Sequence, residues 1–147
     1  MEGRALWGVN AVHLTVQILT PDGILFEADD AALVVAPGEG GDLGVEPNHT
    51  NLITTLRVGE ARIRAGGDEH RFATHGGFLE ATPTRVRIVV DAAERAAEID
   101  VERARLARRR AERHLKRPKK DINIARAEAA LKRALLRLDI AEKSGRI

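Results

Sequence analysis

The stretch RVRIVVDAAERAAEIDVERARLARRRAERHLK, residues 85–116, changes the spacing of its apolar residues partway along. Val86, Ile88 and Val90 alternate with charged residues at first, which is typical of a β-strand with one buried face. From Ile99 onward good helix formers dominate, and alanines recur at helical spacing. The stretch therefore predicts that a β-rich part ends here and a helical part begins.

The residues before this stretch repeat the strand pattern at short intervals. Apolar residues alternate with polar ones from Leu14 to Ile18, and the TPDG sequence at residues 20–23 then predicts a turn. Residues 61–65 alternate alanine and isoleucine with two arginines before a Gly-Gly pair. One charged face on each strand argues against a parallel sheet covered on both sides. We expect an antiparallel β-sandwich or barrel.

The residues after Ile99 predict two helices. Asp100 is a suitable N-cap for the first helix, and Pro118 interrupts the helical pattern. A second helix is predicted from about Asn123, with a stripe of alanine and leucine suited to close helix packing. The expected arrangement is an antiparallel pair of helices of roughly 18–20 residues each, joined by a short proline turn. Such alanine-rich helices bury little area, so the pair should lean on another surface and be able to leave it.

The two parts carry opposite charge. Residues 1–99 hold 8 Lys and Arg against 15 Asp and Glu, whereas residues 100–147 hold 16 against 7. Arginine outnumbers lysine in the basic part, and its planar guanidinium suits paired contacts with carboxylate or phosphate. Arg126, Arg133 and Arg137 share one helix face, so they can converge on one anion. The basic helical part, residues 100–147, is called the arm below. It is therefore predicted to contact nucleic acid, an acidic protein surface or a nucleotide.

Several kinds of site are not supported by the composition. The chain has no cysteine, and its five histidines lack the spacing of metal ligands. The single serine, Ser144, has no partners for nucleophilic catalysis. The glycine-rich PGEGGDLG at residues 37–44 lacks the third glycine of a phosphate-binding loop, so a tight turn is expected. We predict no catalytic residues and no metal site. We also predict no transmembrane segment, because no apolar run approaches ~18 residues.

One class of protein with this charge pattern is a nucleic-acid-binding β-module that carries a basic helical arm. Its affinity would fall steeply with salt. The acidic β-part argues against it, as does an aromatic content of 3%, because base-stacking platforms need aromatic side chains. We expect no nucleic-acid partner.

Five segments, taken in order, resemble the epsilon-subunit family of the bacterial F-type ATP synthase. They are LTVQILTPDGILFEADD (14–30), GDLGVEPNHTNLITTLRVG (41–59), FATHGGFLEA (72–81), DAAERAAEIDVERA (91–104) and RAEAALKRALLRL (126–138). The resemblance implies a β-sandwich of about ten strands followed by a C-terminal hairpin of two antiparallel helices. Together with the residue patterns it predicts a flexible leader at residues 1–12, a sandwich at 13–98 and a helical hairpin at 99–147.

The resemblance also implies partners and a location. The sandwich would bind the gamma subunit and sit on the ring of c subunits, with Asp42 and His49 facing the ring. The hairpin would lie folded on the sandwich or extend into the alpha/beta catalytic head, where its basic residues approach acidic segments and inhibit ATP hydrolysis. The chain would be a non-catalytic rotor subunit, peripheral to the cytoplasmic face of the bacterial plasma membrane.

Some members of the family bind ATP between the folded hairpin and the sandwich. The matching positions here are Glu94, Ile99, Asp100, Arg103, Ala104, Arg110, Arg133 and Arg137. The two arginines on the second helix lie one turn apart and suit phosphates, while the two carboxylates suit the adenosine. Asp100 has a second interpretation, because a helix N-cap has the same sequence pattern. No cofactor is required; ATP is expected as a regulatory ligand, with no acidic cluster that would clearly hold Mg²⁺.

Overall fold

The computed structural model describes residues 12–147, so all of the predicted leader except Val12 lies outside the described residues. These described residues form seven strands, a short 3-10 turn at Ala96–Glu98 and two helices. The strands are β1 (Leu14–Thr20), β2 (Gly23–Gly38), β3 (Gly41–Val45), β4 (Leu52–Leu56), β5 (Gly59–Ala65), β6 (Asp68–Ala81) and β7 (Arg85–Arg95). The helices are α1 (Val101–Lys116) and α2 (Ile124–Lys143). The predicted order of strands followed by a helical hairpin is confirmed.

The strands form a sheet that closes on itself. β1 pairs with β2, β2 with β5, β5 with β6, β6 with β7, and β7 with β1. β4 lies between β6 and β2, and β3 pairs with β2. All of these pairs are antiparallel except β1 with β7. The exception arises because the first and last strands meet where the sheet closes, and no short hairpin connects them.

The strand count is seven, not the expected ten or so, because two long strands stay continuous while they change partners. β2 pairs with β1 in its first half and with β5 and β3 in its second half. β6 pairs with β5 up to Thr74 and with β4 from Gly77 onward. At this change Gly77 has φ +135, and a Cβ there would lie 2.0 Å from the Val89 carbonyl oxygen. Only glycine can occupy this position without backbone movement.

The sandwich core is built from the inward-facing residues of the alternating strands. Its largest completely buried side chains are Leu14, Ile18, Ile63, Phe72, Leu79 and Ile88. The PGEGGDLG segment forms the predicted tight turn, with Gly38 and Gly41 as the last and first residues of β2 and β3. The alternation in the sequence therefore identified the inward face correctly for β1, β5 and β7.

The two helices of the hairpin pack on each other, and their buried residues include five alanines: Ala104, Ala111, Ala127, Ala134 and Ala141. The predicted N-cap at Asp100 is confirmed, since its side chain accepts a hydrogen bond from the Arg103 backbone amide. The second helix begins where it was predicted, and the Asn123 side chain caps it by accepting a hydrogen bond from the Arg126 backbone amide. α2 has 20 residues, whereas α1 has 16 and is shorter than expected. α1 ends at Lys116 because the residue before Pro118 is disfavoured in a helix.

Candidate functional site

The hairpin meets the sandwich where α2 lies against the outer side of β6. Along this strand Phe72 belongs to the sandwich core, whereas Ala73 packs against Ile140 of α2. Because successive side chains of a strand point to opposite faces, Arg71 and His75 share the outer side with Ala73. We call the residues that face α2 the docking face: Glu60 on β5; Arg71, Ala73 and His75 on β6; and Glu94 on β7.

The centre of this contact is apolar and small. Ala73, Ile99 and Ile140 are each at most 1% exposed and form a cluster separate from the sandwich core. Ala96 and Leu136 are partly buried against it. Two of these five side chains are alanines, so the buried apolar area that holds the hairpin on the sandwich is modest.

One end of the contact is a network of charges around Glu60. Its carboxylate accepts a hydrogen bond of 2.8 Å from Arg71 Nη1, and this bond raises the pKa of Arg71 further. Lys143 Nζ of α2 lies 3.9 Å from Glu60 Oε1 and 3.0 Å from Asp139 Oδ2. The last turn of α2 is therefore held to β5 by attraction between opposite charges.

The other end of the contact joins Glu94, His75 and Arg137. The Arg137 guanidinium of α2 donates a hydrogen bond to the Glu94 carboxylate of β7 and forms an ion pair with it. His75 Nε2 lies 4.0 Å from the same carboxylate, and neither ring nitrogen has a hydrogen-bond partner within the described chain. Burial lowers the pKa of His75, as do the positive charges of Arg137 and, more weakly, Arg133, while Glu94 opposes them. The docked hairpin therefore favours the neutral imidazole.

A third attachment lies beyond α2. Arg146 Nη1 donates hydrogen bonds to the carbonyl oxygens of Ala96, at 2.8 Å, and Ile99, at 2.6 Å. These carbonyls belong to the short segment that leads from β7 into α1. We call this contact the C-terminal latch, because it joins the end of the hairpin to its beginning.

The residues predicted to bind ATP are distributed unevenly over this region. Glu94 and Arg137 are paired, and Arg133 lies close enough to affect the pKa of His75. Ile99 and Ala104 are buried, and Asp100 is engaged as the N-cap of α1. Arg103 and Arg110 are exposed on α1. The cationic groups nearest the docking face are thus suited to binding phosphate. That the eight residues bind ATP stays a prediction.

The two residues predicted to face the ring of c subunits lie at different ends of β3. Asp42 is near its start and forms an ion pair of 2.6 Å with Arg57. His49 is in the loop after β3, where its Nδ1 lies 2.8 Å from the Thr50 carbonyl oxygen. An interface that used both residues would have to extend along the length of β3.

Sequence reasoning did not single out several residues of the contact: Glu60, Ala73, His75, Ile140, Lys143 and Arg146. In the sequence His75 is one of five histidines without the spacing of metal ligands, and the structure shows that it is buried. Its alternation with Arg71 and Ala73 was a usable signal that the three share a face. Nothing in the local pattern shows that a helix beginning at Ile124 covers that face.

Residues 12–147 hold neither a grouped set of metal ligands nor a helix that could cross a membrane. No three His, Asp or Glu side chains of this part of the chain are grouped as metal ligands would be. Neither α1 nor α2 combines the length and apolar character needed to cross a membrane.

Comparisons with known proteins agree with the division into strands and helices. The sequence model of the ATP synthase delta/epsilon chain β-sandwich domain matches residues 13–96, and that of the long α-helix domain matches residues 97–142. The ATP synthase epsilon chain of Moorella thermoacetica is 50% identical over 129 residues, which cover 87% of this chain and 96% of the relative. That of Desulforamulus reducens is 42% identical over 127 residues, covering 86% and 96%.

Solved structures show the same fold at low sequence identity. A chain of the Euglena gracilis mitochondrial ATP synthase, solved as an OSCP/F1/c-ring assembly, has a TM-score of 0.79 and 19% identity, with 99% of this chain and 90% of that chain covered. A chain of the Tetrahymena thermophila central stalk and c-ring has a TM-score of 0.56 and 17% identity, with 89% and 95% covered. Given the matches to both domains and to these curated relatives, this chain belongs to the ATP synthase delta/epsilon chain family.

Proposed function

We propose that this chain is a non-catalytic central-stalk subunit of a bacterial F-type ATP synthase, at the cytoplasmic face of the plasma membrane. Its relatives are named ATP synthase epsilon chains, and one similar solved chain comes from a central stalk and c-ring assembly. The sandwich would bind the gamma subunit and the ring of c subunits, so that it rotates with them. In this way it would couple proton-driven rotation to ATP synthesis.

We further propose that the hairpin is a mobile arm that inhibits ATP hydrolysis. In the extended state its basic residues would approach acidic segments of the alpha/beta head and block rotation in the hydrolysis direction. The observation that carries this proposal is the composition of the contact between α2 and the docking face. Its apolar centre is small, and the remaining contacts are ion pairs and hydrogen bonds that water and a partner protein can replace.

The hairpin can also leave the sandwich as one unit. α1 and α2 contact each other extensively, and each helix has buried alanines. Isolated helices of this length are marginal in water, whereas a pair that packs on itself keeps part of its stabilisation after release. Release would therefore break only the non-covalent contacts between α2 and the docking face and those near Ile99.

Truncation after Glu98 in the assembled complex tests the inhibitory role. We expect the truncated chain to assemble and the complex to hydrolyse ATP faster than the complex with the full chain. Unchanged hydrolysis would remove the inhibitory role while leaving the rotor role intact.

A reversible cross-link provides the matched control. The chain has no cysteine, so Ala73→Cys and Ile140→Cys can be joined by oxidation or by a short bifunctional thiol reagent. The two positions belong to the same cluster of the docked contact. Cross-linking should raise hydrolysis as truncation does, because the arm cannot extend, and cleaving the link should restore inhibition.

We also propose that ATP modulates the arm by binding beside Arg133 and Arg137 of α2, where Arg137 contacts Glu94. Support comes from the cationic groups beside the docking face, which are suited to phosphate. Ligand at tenfold its dissociation constant would favour the docked state by only about 1.4 kcal/mol. ATP would therefore modulate a nearly balanced equilibrium and would not fix the arm by itself.

Calorimetric titration of the full chain with ATP, with and without Mg²⁺, tests this proposal. The double variant Arg133→Ala, Arg137→Ala should lose binding, whereas Arg105→Ala, Arg108→Ala on the exposed side of α1 should retain it. Asp100→Asn keeps an N-cap and removes the charge, so weaker binding by this variant would assign Asp100 a role beyond capping. No binding of the full chain at millimolar ATP would leave an arm controlled by protein partners alone.

A further inference from the structure

His75 is a titratable group that neither the rotor role nor the predicted nucleotide residues use. It is 8% exposed, and its two ring nitrogens have no hydrogen-bond partner within residues 12–147. An imidazole in this position gives up its hydrogen bonds to water when α2 docks, and a buried polar group without a partner opposes burial. The cost is greater for the charged form, which also loses solvation of a full positive charge.

The charges around His75 come from two elements. Glu94 on β7 lies on one side, with its Oε1 4.0 Å from His75 Nε2, and it favours a protonated ring. Arg137 and Arg133 on α2 bring positive charges to the same region and disfavour protonation. The Glu94 carboxylate is already paired with Arg137, so it stabilises a protonated His75 ring less than an unpaired carboxylate would.

We propose that His75 makes docking of the hairpin depend on pH, with the neutral imidazole allowing α2 to lie on β6 and protonation releasing it. The two arginines that oppose the charge belong to the part that moves, so release removes both the repulsion and the burial. The inference rests on the proposed function for its consequence, since a released arm is the inhibitory one. Acidification would then slow ATP hydrolysis by the complex.

The direction of the pH dependence follows from comparing His75 when the hairpin is docked with His75 when it is released. With the hairpin released, the outer side of β6 is bare, and His75 should titrate near its ordinary pKa of 6.5. With the hairpin docked, burial and then Arg137 lower the pKa below that value. The docked state is therefore most stable above pH 6.5, loses stability as the pH falls below 6.5, and loses no more once the pH is below the docked pKa.

Fluorescence transfer within the full chain measures this equilibrium. Since there is no cysteine, one dye can be placed at Asp68→Cys, the exposed first residue of β6, and one at Lys119→Cys, in the exposed turn between the helices. We expect the docked-to-released ratio to fall severalfold, and reversibly, between pH 8 and pH 5.5. An unchanged ratio over this range would overturn the proposal.

Substitution of the ring assigns the effect. His75→Gln has a side chain of similar size that does not titrate, so the docked-to-released ratio should be the same at both pH values. His70→Gln, on the same strand, and His114→Gln, on α1, should keep the wild-type pH dependence. A His75→Gln chain with the wild-type profile would overturn the proposal.

A direct titration covers the case in which His75→Gln fails to dock. NMR of the full chain should give His75 a lower pKa than in Ile140→Asn, which releases the hairpin by placing an amide in the apolar centre. Equal pKa values would overturn the proposal. These measurements use the isolated chain and need no ATP synthase. If docking depends on pH but truncation leaves hydrolysis unchanged, only the inhibitory role is refuted. If truncation raises hydrolysis but docking does not depend on pH, only the role of His75 is refuted.

Discussion

Glu94 on β7 and Arg137 on α2 form an ion pair across the contact between sandwich and hairpin, although they are 43 positions apart in the chain. Both side chains are about 30% exposed, so water partly screens the attraction. The same two residues are among those predicted to bind ATP. A phosphate group that engaged Arg137 would therefore share one guanidinium with Glu94, so that ligand binding and docking would use the same residue.

Arg137→Met should weaken docking by about 1–2 kcal/mol, because Glu94 loses a charge-assisted hydrogen bond while the aliphatic part of the side chain is kept. The docked fraction at pH 8, measured with the dye pair at positions 68 and 119, should fall. Arg105→Met is the matched control, since Arg105 pairs with Glu102 on the exposed side of α1. Equal effects of the two variants would show that the pair with Glu94 does not hold the hairpin.

Ile140→Ala should destabilise the docked state by about 2–4 kcal/mol, because it removes the largest buried side chain that α2 contributes to the contact. Hydrogen exchange of α2 amides should accelerate, since the helix then spends more time released. Leu135→Ala alters the same helix at a side chain that is 42% exposed, and its exchange should stay near that of the wild type. Similar exchange in both variants would contradict this account of the apolar centre.

Arg146→Gln should loosen the C-terminal latch by about 1–2 kcal/mol, because two carbonyl oxygens lose a charged donor. Faster hydrogen exchange is expected in the last turn of α2 and in residues 96–99. Arg146→Lys retains the charge but not the guanidinium fork, so an intermediate effect is expected. Wild-type exchange in Arg146→Gln would show that the latch does not stabilise the docked hairpin.

Gly77→Ala should destabilise the sandwich by about 3 kcal/mol or more, because φ is +135 and the added methyl would meet the Val89 carbonyl oxygen. Urea denaturation of the full chain measures this change. Gly40→Ala is the control, since a Cβ there meets nothing within 4 Å and φ lies outside the left-handed region. A Gly77→Ala chain as stable as Gly40→Ala would mean that β6 can shift at this point.

Asp100→Ala should cost about 1 kcal/mol of hairpin stability, because the Arg103 amide loses its side-chain acceptor. Asp100→Asn should be nearly neutral, since asparagine caps helices as well as aspartate does. Thermal unfolding followed by circular dichroism compares the two variants. Equal losses in both would indicate that the charge, and not the cap, stabilises this end of α1.

Local patterns in the sequence predicted much of the fold. Alternation over a few residues identified the inward faces of β1, β5 and β7, and Asp100 and Asn123 marked the starts of both helices. These signals are reliable because strand alternation and helix capping depend on residues at most four positions apart. The helix-forming alanines likewise predicted the contact between α1 and α2.

The candidate site was predicted only in part. Glu94, Arg133 and Arg137 were singled out through the family resemblance, and the structure brings Glu94 and Arg137 into contact. His75 and Arg146 were not, because the local sequence gives no sign of what covers them. An outer strand position looks the same whether water or a helix lies above it.

Local sequence patterns thus account for the order of strands and helices, the inward side of several strands, the N-cap of α1 and the charge difference between the two parts. The tertiary structure alone decided that β2 and β6 change partners, that β1 and β7 pair in parallel, and that α2 covers Ala73 and His75. The reason is physical: alternation and capping act between near neighbours, whereas these pairings join residues tens of positions apart. Which distant faces meet depends on closing long loops and on the shapes of complete surfaces, and no short stretch of sequence contains that information.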